Sequence, residues 1–207
     1  MTLSPRAPLP TVRGRQTQAA IDAAARAVIA RKGILATTIS DIAAEAGRST
    51  ASFYNYYDSK EAMVREWAVR FRDEARERAR AAAEPGLSDW ERSYQAAAAH
   101  WHTYRNRLAE IISVSQLAMV NDDFADYWND ICALPISMIT RTVEQAQRQG
   151  FCDGDDPHLI AVALVAMLNQ FCYQQLSGDR AESADDDACV RTLATVFFRT
   201  VYHRAAA

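Results

Sequence analysis

The sequence has 207 residues and about half of them are apolar, so it can bury a substantial core and is too apolar for a disordered chain. Its net charge of −3 excludes a uniformly basic nucleic-acid-binding chain. The charge is uneven, because residues 1–60 contain eight Lys or Arg against four Asp or Glu, whereas residues 61–207 contain fifteen against twenty-two. A basic first part on an acidic body is typical of a protein that contacts nucleic acid at one end.

The composition also predicts the fold class and the compartment. Glycine (7) and proline (6) are scarce, alanine is frequent, and no stretch alternates between apolar and polar residues, so we expect an all-α protein. No uninterrupted apolar run approaches the roughly 18 residues of a membrane helix. The N-terminus lacks the apolar segment of a signal peptide. We therefore expect a cytoplasmic protein without a membrane partner.

Residues that could bind metal are scattered along the chain. The cysteines have neither a CxxC pair nor metal-ligand spacing, so buried or half-buried thiols are a better interpretation than a redox sensor. Two of the four histidines, His100 and His102, are two residues apart and would face different ways on a helix. The sequence thus predicts no metal site and no cofactor. The cysteines are Cys132, Cys152, Cys172 and Cys189.

The first fifteen residues contain three prolines and three arginines and have nothing to bury, so we expect a flexible segment. Two interpretations stay open. The segment is either a basic arm that follows the DNA backbone or enters the minor groove, with Arg13 and Arg15 as the main contributors, or an ordinary solvated tail.

The first predicted helix runs from Gln16 to Lys32 and ends at Gly33. It has one apolar face with the spacing i, i+3, i+4, i+7 and i+8. We expect this helix to support the segment that follows. The face consists of Ile21, Ala24, Ala25, Val28 and Ile29.

Residues 37–61 have the pattern of two short helices joined by a tight turn. Thr38 and Asp41 have the spacing of a capping box, which starts the first of these helices. Gly47 suits the turn because it adopts positive φ readily. Ser49 is a good N-cap for the second helix.

The second short helix has a small apolar footing, Phe53 and Tyr57, and its other side chains are polar at their tips. A small polar surface close to the backbone is what a helix in the DNA major groove requires. A plain helical corner inside an all-α core is the alternative. The polar-tipped residues are Thr50, Ser52, Tyr54, Asn55 and Tyr56.

This stretch resembles the N-terminal DNA-binding domain of the TetR family of bacterial transcriptional regulators. The resemblance rests on a long, ordered set of residues, and three positions depart from it: Arg48 stands where the family usually has a small apolar residue, Ala51 where Gly or Pro is frequent, and Tyr57 where Phe is frequent. The matching residues are Ile42-Ala43, Ala46-Gly47, Ser49, Phe53-Tyr54, Tyr56-Tyr57 and Ser59-Lys60-Glu61.

The resemblance implies double-stranded DNA as a partner and a role for each residue by its position in the motif. One set should contact phosphates and fix the register, and a second set is better placed for base edges. Arg48 at the turn is a candidate for either role. The phosphate set is Thr38, Ser49, Tyr54, Tyr56 and Lys60, and the base set is Thr50, Ser52 and Asn55, with Arg48 as an addition.

The rest of the chain predicts a helical body. Ser59 caps a helix that reaches about Ala83 and links the two parts. Further helices are expected from Ser88, from Arg107 to about Val120, from Asp122 or Asp123 to Gln149 with a kink at Pro135, from Pro157 to Ser177, and from about Asp186 to Arg204. The last two are apolar on more than one face, which predicts a two-fold dimer through a four-helix interface. In total we expect about nine helices.

The body contains an unusual number of large side chains with polar groups among them, which is the make-up of a small-molecule pocket. Taken singly, each of them belongs more often to a core than to a pocket. The family resemblance favours a pocket, and the mixture of residues indicates a largely apolar effector of moderate size. The residues are Trp67, Phe71, Tyr94, Trp101, Tyr104, Gln116, Met119, Phe124, Trp128, Met138, Asn169, Gln170 and Phe171.

The sequence as a whole predicts an all-α, ligand-responsive DNA-binding regulator, acting as a repressor on a palindromic operator. We expect an arm (1–15), a helix-turn-helix domain (16–60) and a ligand-binding and dimerisation domain (61–207). The alternatives are an all-α enzyme that uses the body pocket and a helical protein-interaction module. The chain has no nucleophile–base pairing and no cofactor motif, so we expect no enzymatic activity.

Overall fold

The computed structural model describes residues 12–81, 86–177 and 183–204, with the backbone alone for residues 72–81. Within these ranges eight α-helices have defined bounds and no strand occurs, which confirms the all-α prediction. The helices are α1 (Val12–Lys32), α2 (Ile39–Glu45), α3 (Thr50–Tyr54), α4 (Lys60–Ala81), α5 (Asp89–Ala118), α6 (Asp122–Arg148), α7 (Pro157–Leu176) and α8 (Asp186–Val201).

Helix α5 combines two of the helices that we expected. It bends at Arg107, where φ is −131° and ψ is 26°, and the sequence places a boundary at the same residue. The N-terminal end is formed as predicted, since Ser88 and Glu91 form a capping box. Counting the two halves of α5 separately gives nine helices among the described residues.

The start of α1 differs from the prediction. The helix begins at Val12 rather than at Gln16, so Arg13 and Arg15 lie in its first turns, exposed to solvent, and do not belong to a flexible arm. The sequence gives the reason in retrospect. The last proline before the helix is Pro10, and nothing between Val12 and Gln16 prevents helix formation. The rest of the expected arm, residues 1–11, lies outside the described residues.

The helix-turn-helix segment is built as its capping residues predict. Thr38 and Asp41 form a reciprocal capping box at the start of α2. Gly47 adopts φ +61° at the turn, and the Ser49 side chain accepts a hydrogen bond from the backbone N–H of Ser52. However, α3 ends at Tyr54, so Asn55 is its C-cap and Tyr56 follows the helix instead of lying within it.

The helices enclose two hydrophobic cores. We call α1–α3 the head and α4–α8 the body. The head core is completed by Trp67 of α4, by Ala109, Val114 and Leu117 of α5, and by Phe124 of α6. The body core is formed mainly by α5, α6, α7 and α8. The second half of α5 therefore belongs to the head core as well as to the body, and the boundary that we expected at residue 60 is crossed by a shared core.

Helix α7 is the one helix in the described part of the chain that is long and apolar enough to cross a membrane, with a mean hydropathy of 1.4. The prediction based on uninterrupted apolar runs missed it. The side of α7 that carries Leu164, Leu168 and Cys172 lies in the body core, and Leu159, Val162 and Tyr173 are exposed. An apolar helix with one covered and one open face is what the predicted dimer interface requires.

Candidate DNA-binding surface and ligand cavity

The outer surface of α3 is polar. Phe53 is fully buried under it, whereas Thr50, Tyr54 and Asn55 are exposed and Ser52 is half-exposed. The Tyr54 ring stands edge-on against Phe53, with 5.8 Å between the ring centroids. Three residues expected at base edges, Thr50, Ser52 and Asn55, are thus on or beside the open surface of a short helix. That placement is compatible with their predicted role.

Tyr57 holds the segment after α3 against α1. Its hydroxyl donates to Asp22 Oδ1 at 2.7 Å and accepts a hydrogen bond from Gln18 Nε2 at 3.1 Å. Burial, assisted by the Asp22 carboxylate, raises the pKa of Tyr57 to about 12. The hydroxyl that distinguishes this residue from the phenylalanine frequent in the family is therefore a protonated structural donor. This contact could not be inferred from the sequence.

Arg13 and Arg48 meet at one surface cleft. The cleft has a volume of about 340 Å³ and lies between the first turns of α1 and the α2–α3 turn. In the described part of the chain, neither guanidinium has a carboxylate partner. Two arginines beside hydroxyl and amide donors suit a phosphate group. The lining residues are Arg13, Gln16, Thr17, Arg48 and Ser52.

Besides the N-cap Ser49, two further residues of the expected phosphate set already have structural roles. The Thr38 hydroxyl donates to Asp41 Oδ2 at 2.6 Å and accepts from the Asp41 backbone N–H. Lys60 Nζ donates to the carbonyl oxygens of Ile34 and Thr37 at 2.8 and 2.9 Å. Lys60 thus ties the loop after α1 to the start of α4. A phosphate would have to use its third N–H.

The body contains an inner cavity of about 280 Å³ between α5, α6 and α7. Phe71 of α4 and Phe197 of α8 also contribute to its wall. The lining is largely apolar, and its polar members are few. The polar or ionisable ones are His100, Thr103, Tyr104, Asp130, Cys132 and Asn169.

His100 is the most unusual group of this wall. Its Nε2 atom is buried and makes no well-formed hydrogen bond to a described group of the protein, although the Asn169 side chain lies close to the ring. Its ring lies beside that of Tyr104, with 5.2 Å between the centroids. Burial lowers the pKa of His100 to about 4, although the Asn169 side chain acts in the opposite direction. The imidazole is therefore neutral at neutral pH and has one unused polar atom.

Cys132 also lies in this wall. Asn169 Nδ2 approaches its Sγ at 3.8 Å, and burial raises the pKa of the thiol to about 11. A thiol with a raised pKa is a poor nucleophile. Among the described residues, no group of three or more His, Cys, Asp or Glu could hold a metal ion.

A second, outer cavity of about 810 Å³ adjoins the inner one. The two share part of their lining, including Tyr104, Trp128 and Asn169. The outer cavity extends as far as Leu35 of the head and is lined by more amide groups than the inner cavity. These amides belong to Gln116, Asn129, Asn169 and Gln170.

The structure places eight of the thirteen predicted ligand residues in these walls and five elsewhere. Trp67 and Phe124 are part of the head core, and Trp101 is buried in the body core, where its Nε1 donates to Asp186. Tyr94 and Phe171 pack against the body core. Phe71, Tyr104, Trp128, Met138 and Asn169 line the inner cavity, and Gln116, Met119 and Gln170 line the outer one.

Helical spacing alone cannot separate core from cavity, which explains why five of the predicted residues lie outside the cavity walls. Trp67 and Phe71 are four residues apart and share a face of α4, yet the first contacts the head core and the second the inner cavity. The ligand set also omitted His100 and Cys132. His100 carried a usable signal, because it is a polar residue among aromatic ones.

The second half of α5 connects the cavities to the head. Glu110, only 3% exposed, accepts a hydrogen bond from Arg26 Nε of α1 at 2.8 Å. Gln116 Oε1 accepts from the backbone N–H of Ile34 at 3.0 Å. Ile111 lines both cavities, and Gln116 lines the outer one. A displacement of this half-helix by a bound molecule therefore reaches α1 directly.

Two family models match the chain. The model of bacterial regulatory proteins of the TetR family matches residues 21–67, and the model of the C-terminal domain of the transcriptional regulator EthR matches residues 90–203. The second match alone covers more than half of the chain. No curated protein sequence matches the chain at a significant level.

Several solved structures share the fold. A regulatory protein of the TetR family from Rhodococcus RHA1 is 21% identical, with a TM-score of 0.71 over 92% of this chain and 99% of its own. The fatty acid degradation regulator FadR from Bacillus halodurans is 20% identical, with a TM-score of 0.62 over 94% of this chain and 100% of its own. A transcriptional regulator from Saccharomonospora viridis in complex with choline is 24% identical, with a TM-score of 0.65 over 87% of this chain and 94% of its own. At these identities the likeness is one of fold.

Proposed function

We propose that this chain, which belongs to the TetR family of bacterial regulatory proteins and is a DNA-binding regulator, represses transcription from a palindromic operator and is released by a small apolar or amphipathic molecule. Regulators of this family are transcription factors without enzymatic activity, and they bind DNA as dimers. The alternative of an all-α enzyme is thereby removed. We place the protein in the cytoplasm, where its DNA is.

The DNA contact that we propose has two parts. The open surface of α3, with Thr50, Ser52 and Asn55, faces base edges in the major groove. The cleft between Arg13 and Arg48 receives a backbone phosphate beside it. The basic charge of the first sixty residues and the acidic charge of the remainder favour this end of the molecule for DNA.

The proposed regulation rests on the second half of α5, which both packs into the head core and lines the cavities. Val114 and Leu117 are packed into the head core, while Ile111 faces the cavities on the same half-helix. Some molecules fit a cavity only after this segment has shifted. Binding of such a molecule favours a second arrangement of the head. In a dimer, that change alters the spacing of the two recognition helices, and a population shift away from the DNA-binding form follows.

The dimer places two heads on one operator. Leu159, Val162 and Tyr173 on α7 and Val196 on α8 are exposed apolar side chains, with Leu159 64% exposed. Burying such side chains against a second copy supports a two-fold interface made by α7 and α8. Two-fold symmetry in the protein then predicts a palindromic site.

The experiment is a fluorescence anisotropy titration of labelled duplexes from the DNA that flanks the protein's own gene, with a shuffled duplex of equal composition as the control. We expect one duplex to bind at least a hundredfold more tightly than the control, because the affinity for specific sites exceeds that for non-specific ones by about 10³ or more. Equal binding of all duplexes would contradict it.

A further inference from the structure

We propose that the effector of this regulator is an elongated, uncharged molecule with a single polar group, which binds His100 Nε2 beside Asn169 while the apolar remainder fills the inner cavity. This inference rests on the proposed function only in calling the ligand an effector. The binding site itself is defined by the cavity and its wall.

The need for a polar group follows from His100. Nε2 is buried in the cavity wall, and no described group of the protein satisfies it. A buried polar atom without a hydrogen bond costs about 1–3 kcal/mol, so a ligand that supplies the missing partner gains that amount relative to a pure hydrocarbon. Asn169 lies in the same wall and offers an amide donor and acceptor next to it.

The need for neutrality follows from the surroundings of that atom. The imidazole is uncharged, and apart from Asp130 the other members of the wall are apolar or neutral, among them Tyr104, Cys132 and Asn169. An ion placed there would lose its hydration without gaining an opposite charge. Asp130 is the one carboxylate of the lining, and it is exposed to solvent. A carboxylate ligand would be repelled by Asp130, and an ammonium group would gain little from it because water screens an exposed carboxylate.

The need for an elongated shape follows from where the lining residues lie. On α5 they extend from Ala96 to Ile111, a rise of about 22 Å along the helix, and on α6 from Asp130 to Ile139, about 14 Å. A volume of about 280 Å³ spread over such lengths makes a narrow channel. An unbranched chain fits it better than a compact ring system.

The test uses three probes that share one chain and differ in their polar group: 1-decanol, decanoate and decyltrimethylammonium, each below its micellar concentration. Binding to the full-length protein is measured by calorimetry at pH 7.5 without DNA. We expect 1-decanol to bind at least tenfold more tightly than either ion. If decanoate or the ammonium probe bound as tightly as 1-decanol, the inference would be overturned.

Variants of His100 test the assigned contact. His100→Phe should weaken 1-decanol binding about tenfold, and His100→Gln should restore part of the loss because its amide can replace the ring nitrogen. His102→Phe is the matched control, since His102 is exposed on the same helix, and it should leave binding unchanged. Unchanged affinity in His100→Phe would overturn the assignment. If that variant does not fold, Asn169→Leu replaces it, and unchanged affinity there would have the same meaning.

The two proposals fail in different ways. A protein that binds no specific DNA but prefers 1-decanol would remove the repressor and retain the site. A protein that binds a specific duplex and prefers one of the ions would retain the regulator and remove the inference about its effector.

Discussion

Arg26 of α1 and Glu110 of α5 form a hydrogen-bonded ion pair at 2.8 Å, and the carboxylate partner is almost completely buried. Arg107 lies 3.6 Å from the same oxygen, immediately at the bend of α5. The second carboxylate oxygen of Glu110 has no partner among the described groups. The contact between head and body therefore depends on a buried charge that one arginine satisfies directly.

Removing Arg26 should cost more than neutralising Glu110. Arg26→Ala removes the hydrogen-bonded partner of a buried charge and leaves it only the longer ion pair with Arg107, so we expect a loss of about 3 kcal/mol in the free energy of unfolding. Glu110→Gln retains an acceptor for Arg26 and should cost about 1 kcal/mol. Urea unfolding of both variants and of the double variant gives the coupling free energy between the two side chains. A double variant whose loss equals the sum of the single losses would show that the pair is not coupled.

Gly33 and Gln116 form the second contact between head and body. Gly33 has φ +75°, and a Cβ atom there would lie 2.6 Å from Gln116 Oε1. Gly33→Ala should therefore destabilise the protein by about 2 kcal/mol, through backbone strain and through displacement of Gln116 from Ile34. Adding Gln116→Ala removes the close contact with the new Cβ atom but leaves the backbone strain at residue 33.

Thermal or urea unfolding of the Gly33 variants checks this prediction. The double variant should be no less stable than Gly33→Ala alone, because the clash is absent from it. Gly47→Ala is the matched control: Gly47 also has positive φ, but an added Cβ meets no atom within 4 Å. Equal losses at Gly33 and Gly47 would show that backbone strain alone is responsible.

The cleft between Arg13 and Arg48 predicts a change in salt dependence. Each of Arg13→Ala and Arg48→Ala removes one positive charge beside the proposed phosphate, so the slope of log K against log[salt] should become shallower by about 0.9. Sequence preference should change little, since phosphates carry no base identity. Arg141→Ala, an exposed arginine on the body helix α6, is the control and should keep the original slope. An unchanged slope in Arg48→Ala would remove it from the interface.

Because His100 is neutral in the folded protein, we expect it to lower the free energy of unfolding at acid pH. The folded pKa of about 4 lies below the ordinary value of 6.5, so the unfolded chain takes up a proton between pH 6.5 and 4 that the folded chain does not. His100 thus lowers stability as the pH falls through this window, by about 2 kcal/mol between pH 7.5 and 5. The Asn169 side chain partly opposes the effect of burial on the pKa of His100.

Urea unfolding at several pH values compares the protein with His100→Phe. As the pH falls, the free energy of unfolding of His100→Phe should rise relative to that of the unchanged protein, because phenylalanine takes up no proton. His102→Phe again serves as the exposed control. Parallel curves for the protein and His100→Phe would mean that His100 titrates normally in the folded state.

Local features were predictable from the sequence because they depend on few neighbours. The caps at Thr38, Ser49, Ser88 and Asp156 and the turn at Gly47 all occur where the sequence places them. The length of α3 was overestimated, since nothing local marks the stop at Tyr54. The start of α1 was placed too late, because the arginines and prolines before it were treated as one segment.

Features that depend on how helices pack were not predictable in the same way. The spacing of Trp67, Phe71 and Trp101 shows that they face inward, but not whether a core or a cavity is there. Arg13 and Arg48 were each candidates for DNA binding, yet their meeting in one cleft needs the docking of α1 on the turn. The unsatisfied nitrogen of His100 is likewise a property of its surroundings.

The most direct test of the proposed switch combines DNA and ligand in one titration. Anisotropy of the preferred operator duplex is measured with the protein at half saturation while 1-decanol is added, and in parallel with Glu110→Gln, in which the tie between α5 and α1 is weakened. We expect the ligand to release the DNA from the protein and a higher ligand occupancy to be needed for release in the variant. Ligand binding seen by calorimetry together with unchanged DNA affinity in both proteins would contradict it.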